Sequence, residues 1–543
     1  METVFRLGAL RSGGGFTLLH LVGIGVAALV LLPIVYLGIR TFTADSSAAE
    51  LILRRRTAEI LLRSILLVGL VTAGSILIAV PMAWLTLRTN LPLRNLWTVG
   101  AVLPLVIPSF IGAFVAVIAL SPRGMLQDLL DVLFSVERIP NMFGLPGATL
   151  VLTLLTFPYV FIPVRASLRR MDPALEEMSR NLGHGSFATF RYVTFPLLRP
   201  AISAGAVLTA LYTLSDFGAV SLLRYETFTW AIFVQYDTAF DRSIAAALSL
   251  VLVAVALGIL AVDIASRGQG QYYRSTVGSV RPPRPISLGG WRWPALAFVS
   301  VVTALSLIAP LGIVTYWAVR GIARGEDVGL DWTAFFNSLQ AGGLASLFNT
   351  LAAIPVAILA VRHRGLISIS IERIAYLGFG LPGIAVALAL VFFGINVFTP
   401  IYQTRTLLIL AYVILFLPAA IGAIRASLMQ VNPRIEEAAR GLGKSPLKVA
   451  WGVTLPLVLP GVLAGAATVF LLTMKELPAT LILGPIGFQT LATDIWGFTE
   501  EAFFAKAAVP ALALILSAGI PTAFLLFRDA QLSSSTSSES TSN

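Results

Sequence analysis

Apolar residues fall in twelve long runs separated by short polar stretches. The runs lie near residues 16–38, 60–87, 97–120, 148–170, 197–222 and 243–265, then 293–319, 338–361, 371–395, 406–429, 457–483 and 507–528. Each is long enough to cross a bilayer as a helix, which takes about 20 apolar residues, and a helix bonds its own backbone where water cannot. The pattern predicts an all-α polytopic membrane protein with about 12 transmembrane helices. The first run is longer than the apolar region of a signal peptide. Ala48-Ala49 is therefore read as uncleaved, and the run has a counterpart at 293–319.

Two of the polar stretches, 260 residues apart, repeat nearly residue for residue. The first contains Arg165-Ala-Ser-Leu168, Pro173, Glu176-Glu177-Met-Ser-Arg-Asn-Leu-Gly183 and Val193-Thr-Phe-Pro196. The second contains Arg425-Ala-Ser-Leu428, Pro433, Glu436-Glu437-Ala-Ala-Arg-Gly-Leu-Gly443 and Val453-Thr-Leu-Pro456. The likeness reaches back into the second runs. There Arg63-Ser64, Gly69-Leu70, Ala79, Pro81, Ala83, Leu85 and Arg88 match Asn337-Ser338, Gly343-Leu344, Ala353, Pro355, Ala357, Leu359 and Arg362, at an offset of 274. The two offsets differ by 14, which places an insertion around 123–141. Its Met125, Leu129, Val132 and Val136 have helical spacing at a surface. Six runs in each half make the two repeats parallel.

Within each island the residues prescribe a bend. Asp172-Pro173 and Asn432-Pro433 are an Asx cap followed by Pro at the first helical position. Glu176, Glu177, Glu436 and Glu437 fall in the first turns, where the helix dipole favours carboxylates. Gly183 and Gly443 suit the left-handed position after a helix. A short amphipathic segment follows before Pro196 or Pro456 opens the next run. Each island is an elbow of helix, Gly and helix lying along the membrane, and a paired elbow suggests docking sites for a paired partner.

Composition agrees with the pattern. Apolar residues make up 57% of the 543 and charged ones 12%, so a soluble class is excluded. There is no Cys, hence no disulfide framework, thiolate metal site or cysteine nucleophile. The formal net charge of +11 sets topology and does not mark a nucleic-acid partner. With a cytoplasmic N-terminus, cytoplasmic segments hold about twice as many Lys and Arg as external ones. That bias puts both elbows, the linker and the C-terminus in the cytoplasm; Arg54-Arg55-Arg56 opposes it, partly offset by Asp45, Glu50 and Glu59. The chain divides into a first half, 1–265, a linker, 266–292, a second half, 293–531, and a Ser/Thr-rich disordered tail, 532–543. Arg281-Pro-Pro-Arg-Pro285 makes the linker an extended tether.

The islands resemble the cytoplasmic motif of ATP-binding-cassette importer permeases: Glu-Ala-Ala, three residues, Gly, nine residues, then Ile-x-Leu-Pro. The second copy has Glu437-Ala438-Ala439, Gly443 and Val453-Thr-Leu-Pro456; the first departs from the pattern at Met178 and Ser179 but keeps Glu177, Gly183 and Pro196. The resemblance covers nearly the whole chain. It implies the type I importer permease fold in the inner (plasma) membrane of a bacterium. It also implies two separate ATPase subunits docking on the elbows, a periplasmic substrate-binding protein, and no enzymatic activity or cofactor in this chain, ATP being bound by the partners. Gly441-Leu-Gly443-Lys444-Ser445 ends like a phosphate-binding loop, but Ala438 stands where that loop needs Gly.

Within that family the chain looks most like the fused permeases of ferric-iron importers. The stretches that carry this are Leu214-Ser-Asp216-Phe217-Gly-Ala-Val-Ser-Leu222 with Thr227-Phe-Thr229, and Met474-Lys475-Glu476-Leu477-Pro478-Ala479-Thr480 with Thr490-Leu-Ala-Thr493. Fused thiamine permeases are the alternative within the class. An ion-gradient-driven secondary transporter is the alternative outside it, although Arg88-Thr-Asn-Leu-Pro-Leu-Arg94 lacks that class's Asp and Gly. Asp216 and Glu476 are repeat equivalents, and carboxylates at membrane depth face a cavity or a partner. They either line the path of a cation that prefers hard oxygen ligands or are structural, with Lys475 neutralising Glu476. No metal ligands are assigned, and His20, His184 and His363 look irrelevant to a metal. The orientation is testable because the chain has no Cys. Single cysteines at Ser186 and Ser445 are expected to resist an impermeant thiol reagent applied to sealed cells; ready labelling of either overturns the topology.

Overall fold

The computed structural model describes residues 18–43, 54–122, 124–135, 140–237, 242–266, 285–363 and 365–519. Among them the only extended pairing is one isolated bridge, and the rest is helix and connection. Ten helices are long and apolar enough to cross a membrane, and a bent pair supplies an eleventh. A shorter apolar helix, Phe504–Gly519, covers the described part of the twelfth predicted span. The all-α polytopic expectation therefore holds. The tail at 532–543 and most of the linker lie outside the described residues. The inserted stretch forms a helix, Met125–Phe134, with Val132 largely exposed; Val136 lies outside the described residues.

Two predicted spans in each half are not continuous. The third span of the first half is Arg94–Val102, a 3-10 turn at Leu103–Val106, then Ser109–Leu120. In the second half Leu366–Gly380 meets Gly383–Asn396 at 108°. Proline is the cause: Pro108 and Pro382 push Ile107 (φ −80°, ψ 118°) and Leu381 (φ −90°, ψ 114°) out of the helical region. The fifth spans, expected at 197–222 and 457–483, instead end at Ser215 and Met474. A break follows at Asp216 or Glu476, then a short helix, Gly218–Leu222 or Pro478–Leu483. Apolar composition had joined what the backbone divides.

The halves embrace through their first spans. Leu18–Thr43 packs on elements of the second half: Gly23 meets Leu359 and Ile371, and the Tyr36 hydroxyl donates to the Phe392 carbonyl at 3.1 Å. Conversely, Gly289–Ala323 packs on the first half, where Val299 and Val302 share a core with Ala79, Phe157 and Leu198. The described end of the linker is pinned to the end of the second span. Ile286 donates to the Arg88 carbonyl at 2.8 Å and accepts from Asn90 N at 3.1 Å.

The fourth spans (Leu145–Arg170, Arg405–Leu428) pack closely on the fifth (Phe195–Ser215, Leu455–Met474) through small residues, as helices in lipid do. A Cβ on Gly205 would meet the Val160 Cα and the Tyr159 carbonyl, both backbone atoms that cannot swing aside. Gly205→Leu is expected to cost about 1–3 kcal/mol and lower the melting midpoint in detergent. Gly69→Leu, where a Cβ meets nothing within 4 Å, is the control; an equal midpoint for both variants would contradict the packing.

Candidate functional site

Both elbows have the geometry their residues prescribe. The Asp172 side chain accepts from Ala174 N at 3.0 Å, and Asn432 accepts from Arg434 N at 3.1 Å. Helices Pro173–Asn181 and Pro433–Gly441 follow, each with Pro in the first turn. They close identically. Gly183 N donates to Arg180 O and His184 N to Ser179 O; Gly443 N donates to Arg440 O and Lys444 N to Ala439 O. This paired closure needs a left-handed residue, and Gly183 (φ 87°) and Gly443 (φ 80°) supply it. The chain then passes one α-turn (Ser186–Thr189, Pro446–Val449) and a π-helical segment (Phe190–Thr194, Ala450–Thr454) into the fifth span. Pro196 and Pro456 sit in the first turn of that span, Pro196 half-buried and Pro456 exposed.

Periodicity decides which residues of each elbow face out. Glu177, Met178, Glu437 and Ala438 are exposed, while Ser179 and Ala439 turn inward. The departure from Ala at Ser179 is satisfied locally: its hydroxyl bonds Thr189 Oγ1 at 3.2 Å and His184 Nδ1 at 3.1 Å. His184 is thus part of the elbow, and His363 stacks edge-on with His20 at 6.0 Å.

The sequence reading missed the first glutamate of each doublet. Glu176 and Glu436 are both 7% exposed, pointing back into the protein. Glu176 Oε1 accepts from Thr194 Oγ1 at 3.1 Å and lies 3.6 Å from Arg88 Nη2. Glu436 Oε1 accepts from Thr454 Oγ1 at 3.1 Å and from Arg362 Nη2 at 3.2 Å. The sequence does carry a signal, because Arg88 and Arg362 are repeat equivalents at the ends of the two second spans.

A second feature lies between the halves: a cavity of about 350 Å³ walled by both. Asp216 and Glu476, predicted as equivalents, both line it, along with Tyr159, Tyr212 and Lys475. Each carboxylate caps the short helix after the break. Asp216 Oδ1 accepts from Ala219 N at 2.9 Å, and Glu476 Oε1 accepts from Ala479 N at 3.2 Å. Their carbonyls are held as well, Asp216 O by Thr229 Oγ1 at 2.6 Å and Glu476 O by Thr480 Oγ1. Lys475 does not neutralise its neighbour: its ammonium crosses to the first half and donates to the Leu105 carbonyl at 2.7 Å. Among the described residues no ion pair joins Lys475 to Glu476. The structure thus brings the two carboxylates to one cavity and keeps the elbows separate from it, at the other end of the fifth spans.

Comparison with known proteins agrees with this architecture. The family described as binding-protein-dependent transport system inner membrane component matches residues 75–271 and 350–528, once in each half. An Fe(3+)-transport system permease protein of Haemophilus influenzae is 38% identical over 499 residues, covering 91% of this chain and 95% of that protein. A ferric transport system permease protein of Actinobacillus pleuropneumoniae is 24% identical over 490 residues, covering 87% of this chain and 71% of that protein. The molybdenum transport system permease protein of Escherichia coli is 32% identical over 181 residues, which span 32% of this chain and 78% of that protein. With duplicated elbows, duplicated spans and a family match in both halves, the chain belongs to the binding-protein-dependent transport system inner membrane components, as a fused, multi-pass permease of the ATP-binding-cassette importers.

Proposed function

We propose that this permease carries ferric iron, delivered by a periplasmic binding protein and driven by two ATPase subunits that dock on the elbows from the cytoplasm. The observation that carries the substrate is the shared cavity, to which each half contributes one carboxylate, Asp216 and Glu476. Ferric iron takes hard oxygen ligands, and two carboxylates from opposing halves meet that need. The names of the relatives from Haemophilus influenzae and Actinobacillus pleuropneumoniae support the same substrate. Both termini are cytoplasmic in this reading, the halves are 1–265 and 293–531, and ATP is bound only by the partner subunits. The ATPases would meet the exposed face of each elbow helix, with Glu177 or Glu437 as the contact and Ala438 as a small, close-packing neighbour. Ala439 packs beneath, Gly183 and Gly443 set the bend, and Pro196 and Pro456 open the spans that carry the motion inward. Closure of the ATPase pair would rock the halves, so that Asp216 and Glu476 open to each side in turn.

Docking is tested on the bend. A bulky side chain at Gly443 would occupy a left-handed conformation at a cost of about 1 kcal/mol or more and re-aim Glu437. Gly443→Val or Glu437→Lys is expected to leave the protein in the membrane, weaken ATPase binding and stop uptake; changes at Gly183 and Glu177 act likewise but more mildly. Uptake at the wild-type rate in the Gly183→Val/Gly443→Val double variant would falsify elbow docking.

The substrate is tested by uptake of radiolabelled ferric iron and, separately, labelled thiamine, into cells with and without this chain. Iron uptake is expected to depend on the chain and to fall about tenfold or more in Asp216→Asn/Glu476→Gln, or roughly 1.4 kcal/mol of barrier. Chain-dependent thiamine uptake with iron unaffected would transfer the substrate assignment to thiamine. Undiminished iron uptake in the double variant would remove the carboxylates from the path.

A further inference from the structure

We propose that Glu176 and Glu436 are transmission joints: each locks its elbow helix to the ends of three spans, so that a push on the elbow moves the fifth span and the cavity carboxylate it ends on. This rests on the importer reading above and assigns a role to residues that the docking face does not use.

The same three residue types meet in both halves, Arg, Glu and Thr. One carboxylate oxygen, Glu176 Oε1, faces both Arg88 at the end of the second span and Thr194 at the start of the fifth. Arg88 Nη2 also donates to Leu168 O at the end of the fourth span, at 3.2 Å. In the second half Glu436 Oε1 meets Arg362 and Thr454, and Arg362 Nη2 also donates to Val431 O at 3.0 Å, three residues past the end of the fourth span at Leu428. Thr194 and Thr454 each close a π-helical segment that runs directly into the fifth span. A π segment in this place lets a threonine face the elbow without ending the helix. The fifth spans, Phe195–Ser215 and Leu455–Met474, then run to the breaks at Asp216 and at Lys475-Glu476. A helix of about 20 residues is roughly 30 Å long, so a small tilt at one end displaces the other.

The first joint is not at its tightest in this state. Arg88 is 2% exposed, and its Nε and Nη1 are buried without a hydrogen-bond partner, as is Nε of Arg362 in the second joint. The Arg88–Glu176 separation is 3.6 Å, against 3.2 Å for Arg362–Glu436. Buried donors left unpaired are costly, so on this proposal the joints move to an arrangement that pairs them. A positioning residue of this kind acts on coupling and not on docking, because Glu177 and Glu437 point the other way.

The test uses the full chain assembled with its ATPase and binding protein in proteoliposomes, measuring ATPase-subunit affinity, ATP hydrolysis and iron uptake together. Thr194→Val/Thr454→Val keeps side-chain shape and removes only the bond to the fifth span. Glu176→Gln/Glu436→Gln keeps shape and removes the charge that faces Arg88 and Arg362. Both double variants are expected to bind the ATPase as the wild type does, yet transport less iron per ATP hydrolysed. The loss should be about fivefold or more, the scale of a coupling free energy between sites. Unchanged transport per ATP in both double variants overturns the joint. So does loss of ATPase binding in the threonine variant, which would make the residues part of the docking scaffold. If the Gln variant fails to reach the membrane, the threonine variant decides alone. Failure of the wild-type chain to bind an ATPase would instead sink the importer reading.

Discussion

A carboxylate removed from water requires directed donors, and meeting that requirement organises this molecule. Four carboxylates lie away from bulk solvent at corresponding places in the two halves: Glu176, Glu436, Asp216 and Glu476. None stands in the middle of a continuous span. Glu176 and Glu436 lie in the first turn of elbow helices, and Asp216 and Glu476 lie at breaks where a new helix begins. Asp216 and Glu476 take free N–H groups of the helix starts, which an uninterrupted span does not offer, whereas Glu176 and Glu436 take threonine and arginine side chains. One pair sits beside the elbows and the other in the cavity between the halves. The fifth span of each half is the segment left between them.

Duplication explains most of this, and the departures from it show where the halves divide the work. The caps, the left-handed glycines, the π segments and the Arg–Glu–Thr clusters agree in both copies. The cavity is less symmetric. Lys475 stands where the first half has Ser215, and its bond to the Leu105 carbonyl ties the second half to the first beside the carboxylates. An ammonium that avoids the adjacent Glu476 leaves that carboxylate free to face the cavity. The elbow interiors differ too: Ser179 needs Thr189 and His184 as partners where Ala439 needs none. A buried hydroxyl has to be bonded and a methyl does not.

Much of the architecture was legible from composition and spacing. Runs of apolar residues announce membrane burial, and Asx-Pro, the acidic first turn and the trailing Gly announce each elbow. Continuity of the spans was not legible, because an apolar run reads the same whether its backbone is one helix or two. Pro108, Pro382 and Pro478 stand at the breaks, but a proline alone does not mark one, because Pro81 and Pro158 sit inside helices here. The glutamate doublet posed a similar problem. Adjacent residues on a helix lie about 100° apart, so one faces in and the other out, and sequence alone does not set the phase. The phase comes from Arg88 and Arg362, which meet the elbows only in three dimensions.

The buried ion pairs at the elbows contribute little to net stability. Burying an Arg–Glu pair takes hydration from both groups, and the attraction regained roughly offsets that loss. An apolar pair of similar volume would hold the second span to the elbow as well. What such a pair would lack is direction. A shared, hydrogen-bonded oxygen sets Arg362, Glu436 and Thr454 at angles that apolar contact leaves loose; in the first half Thr194 bonds Glu176 and Arg88 stands 3.6 Å from the same oxygen. Breaking the pair by removing one partner leaves an uncompensated charge. In the proposed coupling, direction at this pair is what would connect the elbows to the distant cavity.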